Sequence, residues 1–323
     1  MIERHLNIVV ASLTRNRPRM LVALIESWAA MQAVKDTNVR CLVIENDTDE
    51  KSLEIVEGLR ERFPELHLDY VLEPRPGIPV ARNRALDEAR KIGADLLCFV
   101  DDDEEVAPDW LEHLVAEYRT SGATAVGGPV VPRKPDEPLD RRSSRIFAGL
   151  EARSTTRYRK IAERMRRNDA RHVTISTNNC LYDLSVVGHG ELRFDESMVW
   201  TGGSDAKLSA DIAAAGEKLA WSDRAIVWET QPKERLTAAY IIRTTRDREA
   251  MYLVRKIRQN KSILIGFGAI SVARLVAFIA LVPTSLLSNK ALCNMLLNTG
   301  WILAFLYAIC AKTPKLYQKV TGY

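Results

Sequence analysis

The sequence lacks the features that would mark several large classes of protein. It has no internal repeat and no low-complexity tract, so neither a repeat array nor an unfolded polar chain is expected. Its formal net charge is only +4 over 323 residues, which is too small to indicate a nucleic-acid-binding protein. What remains is a chain long enough for one large α/β domain and an appendage.

Cysteine is scarce and poorly spaced for crosslinking or zinc binding. The residues are odd in number and scattered, mostly inside apolar runs: Cys41, Cys98, Cys180, Cys293 and Cys310. A disulfide framework or a zinc site requires paired spacings that are absent here. The amino terminus, MIERHLNIVVASL, also lacks the apolar core and cleavage site of a secretory signal. We therefore expect the polar part of the chain to stay in a reducing cytosol.

The most informative stretch is Leu96–Asp103, LLCFVDDD, in which an apolar run ends in three consecutive carboxylates. A continuously apolar run is typical of a strand inside a parallel sheet that is covered on both faces. The carboxyl end of such a strand is where ligands bind in open α/β sheets. Adjacent carboxylates repel one another unless a cation or a hydrogen-bonded ligand shares them, which favours a divalent metal with a phosphate substrate. The alternative is a solvated acidic loop before a helix, since acids and Pro108 suit a first helical turn.

Strand-like and helical segments alternate along the first third of the chain. Predicted strands cover Asn7–Leu13, Val39–Ile44 and Leu66–Leu72 before LLCFVDDD, with helical periodicity between them. This order predicts an α/β fold with a Rossmann-like, mostly parallel, doubly wound sheet and helices on both faces. Successive strands would then deliver polar residues to one edge of the sheet.

The middle of the chain has a helix, several strands and a basic segment. Helical spacing covers Pro108–Tyr118, and strands are expected in ATAVGGPVV, Val173–Tyr182 and Glu217–Trp228. Residues 138–172 contain eleven Lys or Arg and four acids. That segment is either a solvated helical excursion or a basic face near anionic lipid or diphosphate.

The motif TGGSDAKLSADIAAAG sets Asp205 at the start of a short helix, two residues after Gly203. Permissive glycines allow another group to approach such a carboxylate closely. A helix-capping role is the plain alternative.

Two apolar segments near the carboxyl terminus are each long enough to cross a bilayer core. Ile263–Val282 has one charge, Arg274, and Ala291–Cys310 has none. We expect either a membrane-associated helical hairpin or helices lying partly in the interface; two buried core helices are the remaining alternative. Basic residues flank the pair, which predicts that both ends are cytoplasmic: Arg255, Lys256, Arg258, Lys261, Lys312, Lys315 and Lys319. The expected division is a domain at 1–232, a basic juxtamembrane segment at 233–261 and the hairpin with its tail at 262–323.

Six motifs over residues 6–248 resemble those of family 2 glycosyltransferases with the GT-A fold, especially inverting, membrane-associated enzymes of bacterial exopolysaccharide assembly. They are LTRNRP, IENDTD, GIPVARNRAL, FVDDDEEVAPDWL, TGGSDAKL and VWETQPKERLT. The resemblance implies a nucleotide diphosphate sugar donor, most commonly a UDP-sugar, and a divalent cation, Mg²⁺ or Mn²⁺.

The resemblance also assigns residues to the donor. Nucleotide-sugar-binding positions are Thr14, Arg15, Glu45, Asp47, Arg82, Asp101 and Asp102. Asp103 completes the DxD pattern and would bind the metal, and Glu229 stands where many relatives have a metal-binding His. The family commonly has Asp at the position of Glu45.

The remaining assignments concern the transferred sugar and the acceptor. Asp205 matches the acid of the family's ED motif and is expected to act as general base, although Ser204 replaces the usual Glu. Asn178 and Asn179 would line the sugar pocket or only satisfy a turn, and Trp200 and Trp228 would stack on a sugar or pack in the core. A cytosolic domain held at the inner membrane implies a polyprenyl-diphosphate-linked saccharide acceptor, whose phosphate would meet a basic run made up of Arg243, Arg246 and Arg248.

Two other functions are compatible with parts of this pattern. A sugar-nucleotide nucleotidyltransferase would need a Gly-rich phosphate loop near the amino terminus, but ASLTRNRP has no glycine. A non-catalytic membrane partner would have no need of Asp101, Asp103 and Asp205 together.

Overall fold

The computed structural model describes residues 5–167, 173–199, 202–259 and 263–310, apart from the side chains of 255, 258, 259 and 263–265. The chain divides into two compact units. Within the described residues, the first unit comprises 5–131 and 157–229, and the second comprises 132–156 and 230–310. Each unit has its own buried core.

The strands are β1 (Leu6–Thr14), β2 (Thr37–Glu45), β3 (Leu68–Leu72), β4 (Leu96–Val100), β5 (Glu104–Val106), β6 (Ala125–Gly127), β7 (Val130–Arg133), β8 (Asn179–Asp183), β9 (Leu219–Trp221) and β10 (Val227–Thr230). The helices are α1 (Pro18–Ala29), α2 (Leu53–Arg62), α3 (Ile78–Lys91), α4 (Trp110–Ser121), α5 (Arg141–Arg166), α6 (Ser204–Ala214), α7 (Ala238–Gln259), α8 (Ile263–Ser285) and α9 (Asn289–Ile309).

The first unit is built on a seven-stranded sheet in the order β3-β2-β1-β4-β8-β6-β9. The strands β3, β2, β1 and β4 are parallel, and β8 runs antiparallel to both β4 and β6. The predicted α/β class and mostly parallel sheet are therefore confirmed. A second sheet of three short strands, in the order β5-β10-β7, accompanies it.

Burial on both faces explains why the central strands are continuously apolar. In β1, Ile8 and Val10 belong to one core cluster, while Val9 and Ala11 belong to the cluster on the other face. Successive side chains of a strand point to opposite faces, so neither face tolerates polar residues here. Every residue of β4 is buried in the same way.

Two predicted strands are each divided between the two sheets. The segment ATAVGGPVV forms β6 and β7, which separate at Gly128 and Pro129. A Cβ atom on Gly128 would lie 2.4 Å from the carbonyl oxygen of Ala225, so only glycine allows this close approach. The segment Glu217–Trp228 likewise divides into β9 and β10. The basic segment 138–172 contains the long helix α5.

The second unit is helical and contains α7, α8, α9 and residues 141–156 of α5. The two apolar segments predicted from the sequence are the helices α8 and α9, joined by a short turn. Both are long and apolar enough to cross a membrane, by length and composition only. The tail from residue 311 lies outside the described residues.

Asn179 joins the two sheets, and its removal tests that role. The indole Nε1 of Trp110 donates to its Oδ1 at 2.8 Å, and its Nδ2 donates to the carbonyl oxygens of Pro129 and Ala225 at 2.9 and 2.7 Å. Asn179→Ala leaves these buried groups unpaired, which we expect to cost about 2 to 4 kcal/mol of unfolding free energy. Thermal unfolding with the surface variant Asn38→Ala as control measures this, and equal melting temperatures would contradict it.

Candidate active site

Polar residues stand at the carboxyl ends of four neighbouring parallel strands. Thr14 ends β1, Glu45 ends β2, Glu73 follows β3, and Asp101 follows β4. Thr14 pairs with Glu45 in the register of β1 and β2. The sheet therefore gathers these side chains at one edge, as the strand order predicted from the sequence requires.

Asp102 is held by the last residue of β1 and by a residue of the loop that follows it. Thr14 Oγ1 donates to Asp102 Oδ2 at 2.8 Å, and Arg17 Nη1 donates to Asp102 Oδ1 at 2.7 Å. The same guanidinium nitrogen lies 3.3 Å from Asp103 Oδ2. These contacts follow from the register of β1 and β4, which pairs residues 88 positions apart. Asp102 is 4% exposed, so Arg17 is the counter-ion of a buried carboxylate.

Glu104 is a buried member of the acidic cluster. Its Oε2 accepts the backbone N–H of Asp101 at 2.9 Å, and its Oε1 accepts from Asn178 Nδ2 at 3.0 Å. The antiparallel pairing of β5 and β10 sets Glu229 directly opposite Glu104. Residues distant in sequence thus bring a further carboxylate to the acids that follow β4.

Burial and like charges raise the pKa values in this cluster. Burial raises the pKa of Asp101 to about 7; Arg82 opposes this rise, and the carboxylates of Asp103 and Asp102 add to it. Burial also raises the pKa of Glu104 well above its usual range, with the charge of Asp101 contributing. The pKa of Asp102 rises for the same reason despite the opposing charge of Arg17. The cluster therefore favours any ligand that supplies positive charge.

Arg82 connects this cluster to the helix that carries Asp205. Its charge acts on Asp101, and its Nη1 donates to Ser204 Oγ at 3.1 Å. Ser204 is buried and begins α6, directly after Gly203 with φ 84°. Asp205 follows, and its Oδ1 accepts the N–H of Ala206 at 2.8 Å. The predicted base and the acidic triplet therefore share Arg82 as a neighbour.

The residues predicted to bind the nucleobase differ in their surroundings. Glu45 is fully buried; its carboxylate accepts from Ser52 N and Oγ at 2.8 and 3.1 Å and from Tyr70 Oη at 2.6 Å. Asp47 lies on the loop after β2, 2.7 Å from Lys51 Nζ and 3.8 Å from Arg15 Nε. Arg15 and Asp47 are thus together, while Glu45 is already bound within the fold.

The structure also describes the surroundings of three of the four residues predicted to contact the sugar. Asn178 contacts Glu104 in the acidic cluster, whereas Asn179 is occupied by the sheet junction described above. Trp228 is partly buried and packs against the core. Trp200 lies outside the described residues. No role in catalysis or donor binding is tested by these positions, so the assignments stay predictions.

Two residues of the site were missed by the sequence reasoning. Arg17 belongs to the quoted motif LTRNRP, but only the pairing of β1 with β4 reveals that it, and not Arg15, reaches the acidic triplet. Glu104 directly follows the triplet and was passed over because an extra acid in an acidic run gives no signal of its own.

The donor set suits a hard divalent cation. Among the described residues, no three His, Cys, Asp or Glu side chains are already grouped as metal ligands. Mg²⁺ commonly takes only one or two protein carboxylates and completes its shell with water and substrate phosphate oxygens. Asp103, with Glu229 on strand β10 next to β5, could supply such carboxylates. Burial raises the pKa of Asp101 beside them, and the charges of Asp103, Asp102 and Glu229 add to that rise.

Comparisons with known proteins agree with this architecture. The sequence profile described as glycosyl transferase family 2 matches residues 9–187. The succinoglycan biosynthesis protein ExoM of Rhizobium meliloti (strain 1021) is 33% identical over 239 residues, which are 73% of this chain and 71% of the relative.

Two solved structures have a similar fold. One is the mannosyltransferase PcManGT from Pyrobaculum calidifontis in complex with GDP-Man and Mn²⁺, with a TM-score of 0.64, 16% identity, and coverage of 96% of this chain and 89% of that one. The other is GalNAc-T7 with UDP, GalNAc and Mn²⁺, with a TM-score of 0.54, 15% identity, and coverage of 79% and 51%. At these identities the likeness concerns the fold, and the predicted GT-A architecture is confirmed.

The raised pKa of Asp101 predicts a pH-dependent stability. Between pH about 4 and about 7 the folded chain holds a proton that the unfolded chain has lost, so stability falls as pH rises through that window. Asp101→Asn cannot ionise and should therefore match the parent near pH 4 but exceed it by about 4 kcal/mol at pH 8. Thermal unfolding in a chelating buffer checks this, with exposed Asp136→Asn as control. A constant difference across pH would contradict the expectation.

Proposed function

The chain belongs to glycosyl transferase family 2, and from that premise we propose that it transfers a sugar from a nucleotide diphosphate sugar to a hydroxyl of a lipid-linked saccharide, with inversion at the anomeric carbon. That it is a glycosyltransferase follows from the family. The donor, the acceptor, the stereochemistry and the roles of the residues are the proposal.

The main observation that supports the proposal is the position of Arg82, which lies between the acidic cluster after β4 and the start of helix α6, where Asp205 lies. It acts on Asp101 in the cluster after β4 and donates to Ser204, which precedes Asp205. A diphosphate bound near the cluster would leave the anomeric carbon between its phosphate and the start of α6. Arg82 would meet the negative charge that develops on the departing nucleoside diphosphate.

Asp205 acts as the general base in this proposal. Its carboxylate takes the proton from the acceptor hydroxyl while that oxygen forms a bond to the anomeric carbon. The bond from this carbon to the diphosphate oxygen breaks on the opposite face, so the configuration inverts. Partial exposure of Asp205 at the start of α6 is consistent with contact with an incoming acceptor.

The donor is held by the loops after β1, β2 and β4. Thr14, Arg15 and Asp47 are proposed to lie around the nucleobase, and Asp101 and Asp102 around the ribose and diphosphate. Because the oxygens of Glu45 already accept hydrogen bonds from Ser52 and Tyr70, we propose that Glu45 shapes this region through them. We propose a UDP-sugar as the donor.

A divalent cation, Mg²⁺ or Mn²⁺, is the proposed cofactor, with Asp103 and Glu229 as protein ligands. When bound, such a cation neutralises diphosphate charge without a proton transfer. Arg17 lies 3.3 Å from Asp103 and supplies positive charge to the same carboxylates. We propose that Arg17 keeps the acids compatible with folding before donor and cation arrive.

The acceptor proposal depends on the likeness to ExoM and on the apolar helices of the second unit. We propose a polyprenyl-diphosphate-linked saccharide, used in exopolysaccharide assembly of the succinoglycan type at the inner membrane, with the first unit in the cytoplasm. Arg243 and Arg248 are exposed on α7, although Arg248 Nε lies 3.4 Å from Glu249 Oε1, and the less exposed Arg246 pairs with Asp247 at 2.7 Å. The exposed pair would meet the acceptor's phosphate groups. Equal transfer to lipid-linked and free saccharide would refute this part.

Asp205→Asn tests the assignment of the base. We expect kcat to fall by about 10² to 10⁴, because the acceptor oxygen loses its proton acceptor, while donor affinity stays unchanged. The assay screens UDP-, GDP- and dTDP-sugars with Mn²⁺ or Mg²⁺ for release of nucleoside diphosphate with a lipid-linked acceptor. Asp211→Asn, on the same helix and paired with Lys207, is the matched control. Normal turnover by Asp205→Asn would refute the assignment.

Arg17→Gln tests the role of Arg17 as internal counter-ion. Removing one partner of a buried ion pair costs on the order of 3 kcal/mol, so melting in chelator should drop accordingly. Saturating Mn²⁺ with donor nucleotide should restore part of the loss, because bound cation replaces the missing positive charge. Arg19→Gln, exposed on the same helix, should melt like the parent. A loss that Mn²⁺ and nucleotide leave unchanged would contradict this role.

A further inference from the structure

Helix α9 is apolar enough to span a bilayer, yet one side of it is buried within the second unit, and of its large apolar side chains only Leu306 and Ile309 are exposed. It buries Ala291, Cys293, Leu296, Gly300, Trp301, Ala304 and Ala308. A hydropathy window cannot distinguish burial in lipid from burial in protein. The neighbours of α9 decide between them.

The first neighbour is α7, which lies along much of α9. Ile241 shares a cluster with Leu296, and the cluster of Ala250, Leu253 and Val254 includes Trp301, Ala304 and Ala308. Between these clusters, a Cβ on Gly300 would lie 2.8 Å from the carbonyl oxygen of Ile242. From Leu296 to Ala308, α9 therefore follows α7 over about 18 Å.

The same stretch of α7 is strongly charged. It contains Arg243, Arg246, Asp247, Arg248 and Glu249. If α9 crossed the hydrocarbon core of a bilayer while packed on α7 in this way, the charged residues of α7 would also lie in the hydrocarbon core. Charged side chains are rare there because their desolvation is costly. The packing of α7 on α9 is therefore incompatible with α9 as a lipid-surrounded span.

The second neighbour is the first part of α5, which holds the turn between α8 and α9. Arg145 Nη2 donates to the carbonyl oxygen of Ser285 at 2.5 Å, and its Nε donates to Asn289 Oδ1 at 3.0 Å. A Cβ on Gly149 would lie 2.5 Å from the carbonyl oxygen of Asn289. Lys290 Nζ donates to Thr156 Oγ1 at 2.9 Å. A turn bound to polar residues of α5 is not free to cross to the opposite face of a membrane.

Helix α8 is different, because its outer surface is apolar and exposed. Five of the exposed large residues share one side of the helix: Val272, Leu275, Val276, Ile279 and Val282. Leu286 and Leu287 extend the apolar surface into the turn, and Ile270 lies on the other side of the helix. The single charge of α8 does not interrupt this face. Arg274 Nη1 donates to Asn298 Oδ1 at 3.0 Å, and its guanidinium lies 4.6 Å from the ring centre of Trp301 on α9.

We propose that the second unit binds one leaflet of a membrane without crossing it. Helix α8 lies in the interface with this apolar face in the acyl chains, and α9 stays inside the protein between α7, α8 and α5. The turn 286–290 then remains on the same side of the membrane as the first unit. This inference concerns only the second unit and does not depend on the proposed sugar transfer.

Lipid fits the exposed face of α8 in extent and chemistry. From Val272 to Val282 this face is about 15 Å long, and all of its exposed large side chains are apolar. Basic residues just before α8 in the sequence suit the anionic headgroups that border such a face. A second copy of the chain is the other occupant that the tests must distinguish.

Site-directed labelling tests the sidedness of the turn. In a background with the exposed Cys310 changed to Ser, single cysteines are introduced by Lys290→Cys in the turn and by Glu61→Cys on the surface of the first unit. A membrane-impermeant maleimide is added to right-side-out and to inverted membrane vesicles. We expect both cysteines to react from the same face only. Reaction from opposite faces would show a spanning hairpin, and a Lys290→Cys variant unreactive from both faces would place the turn in lipid; either result overturns the proposal.

Vesicle binding tests the apolar face itself. The double variant Val276→Gln with Ile279→Gln should lower co-flotation of the full chain with phosphatidylglycerol vesicles by roughly a hundredfold, while Val276→Leu with Ile279→Leu keeps it. Thermal unfolding of the full chain, followed by the circular-dichroism signal of its helices, reports whether each variant folds. Unchanged vesicle binding by a folded Gln variant, or its conversion from dimer to monomer without loss of lipid binding, would overturn the proposal. Neither test measures sugar transfer, so the two proposals can fail independently.

Discussion

The structure of the first unit depends on one electrostatic constraint: four carboxylates, Asp101 to Glu104, follow a fully buried strand. The ionised form of these four carboxyl groups is unfavourable by itself, because burial and mutual repulsion both oppose ionisation. Positive charge from elsewhere offsets this, with Arg17 from the loop after β1 and Arg82 from α3. The elements that bring these arginines are the ones that build the proposed donor site. Stability of the empty protein and affinity for a charged ligand are therefore linked through the same side chains.

The sheet could be predicted from the sequence because the apolar pattern of a strand depends only on residues that are close together in the chain. Strands buried on both faces must be apolar over consecutive residues, and such runs occur at 8–11 in β1, 41–44 in β2 and 96–100 in β4. Strand order predicted that polar residues gather at one edge of the sheet, and the family resemblance assigned Thr14 and Asp102 to a site there. Glu229 could be found only through the family resemblance. Its neighbour across the ladder, Glu104, depends on the register of β10 with β5, and three-residue strands give no periodic signal.

Contacts between distant segments are the features that the sequence could not predict. Nothing local in ATAVGGPVV shows that the chain changes sheet at Gly128; the reason is the carbonyl of Ala225, almost a hundred residues later. Glu45 resembles a ligand-binding acid, yet Ser52 and Tyr70 occupy its oxygens. Asn179 resembles a sugar-binding amide but joins Trp110 to two backbone carbonyls. A polar residue at a sheet edge has the same sequence signature whether its partner is a ligand or the protein.

The second unit extends this reasoning from acids to apolar helices. Hydropathy averages around a helix, so α8 and α9 both qualify as candidate membrane spans, although α8 is largely exposed and α9 is buried along one side. The difference comes from which residues meet each face. Arg274 would oppose insertion of α8 if it pointed outward, but Asn298 and Trp301 on α9 hold it inward. In both units an arginine's partners, more than its own position in the sequence, determine what the surrounding stretch can bind. For α8 this leaves an uncharged surface for lipid, and for the triplet after β4 it leaves a counter-ion that a bound cation can replace.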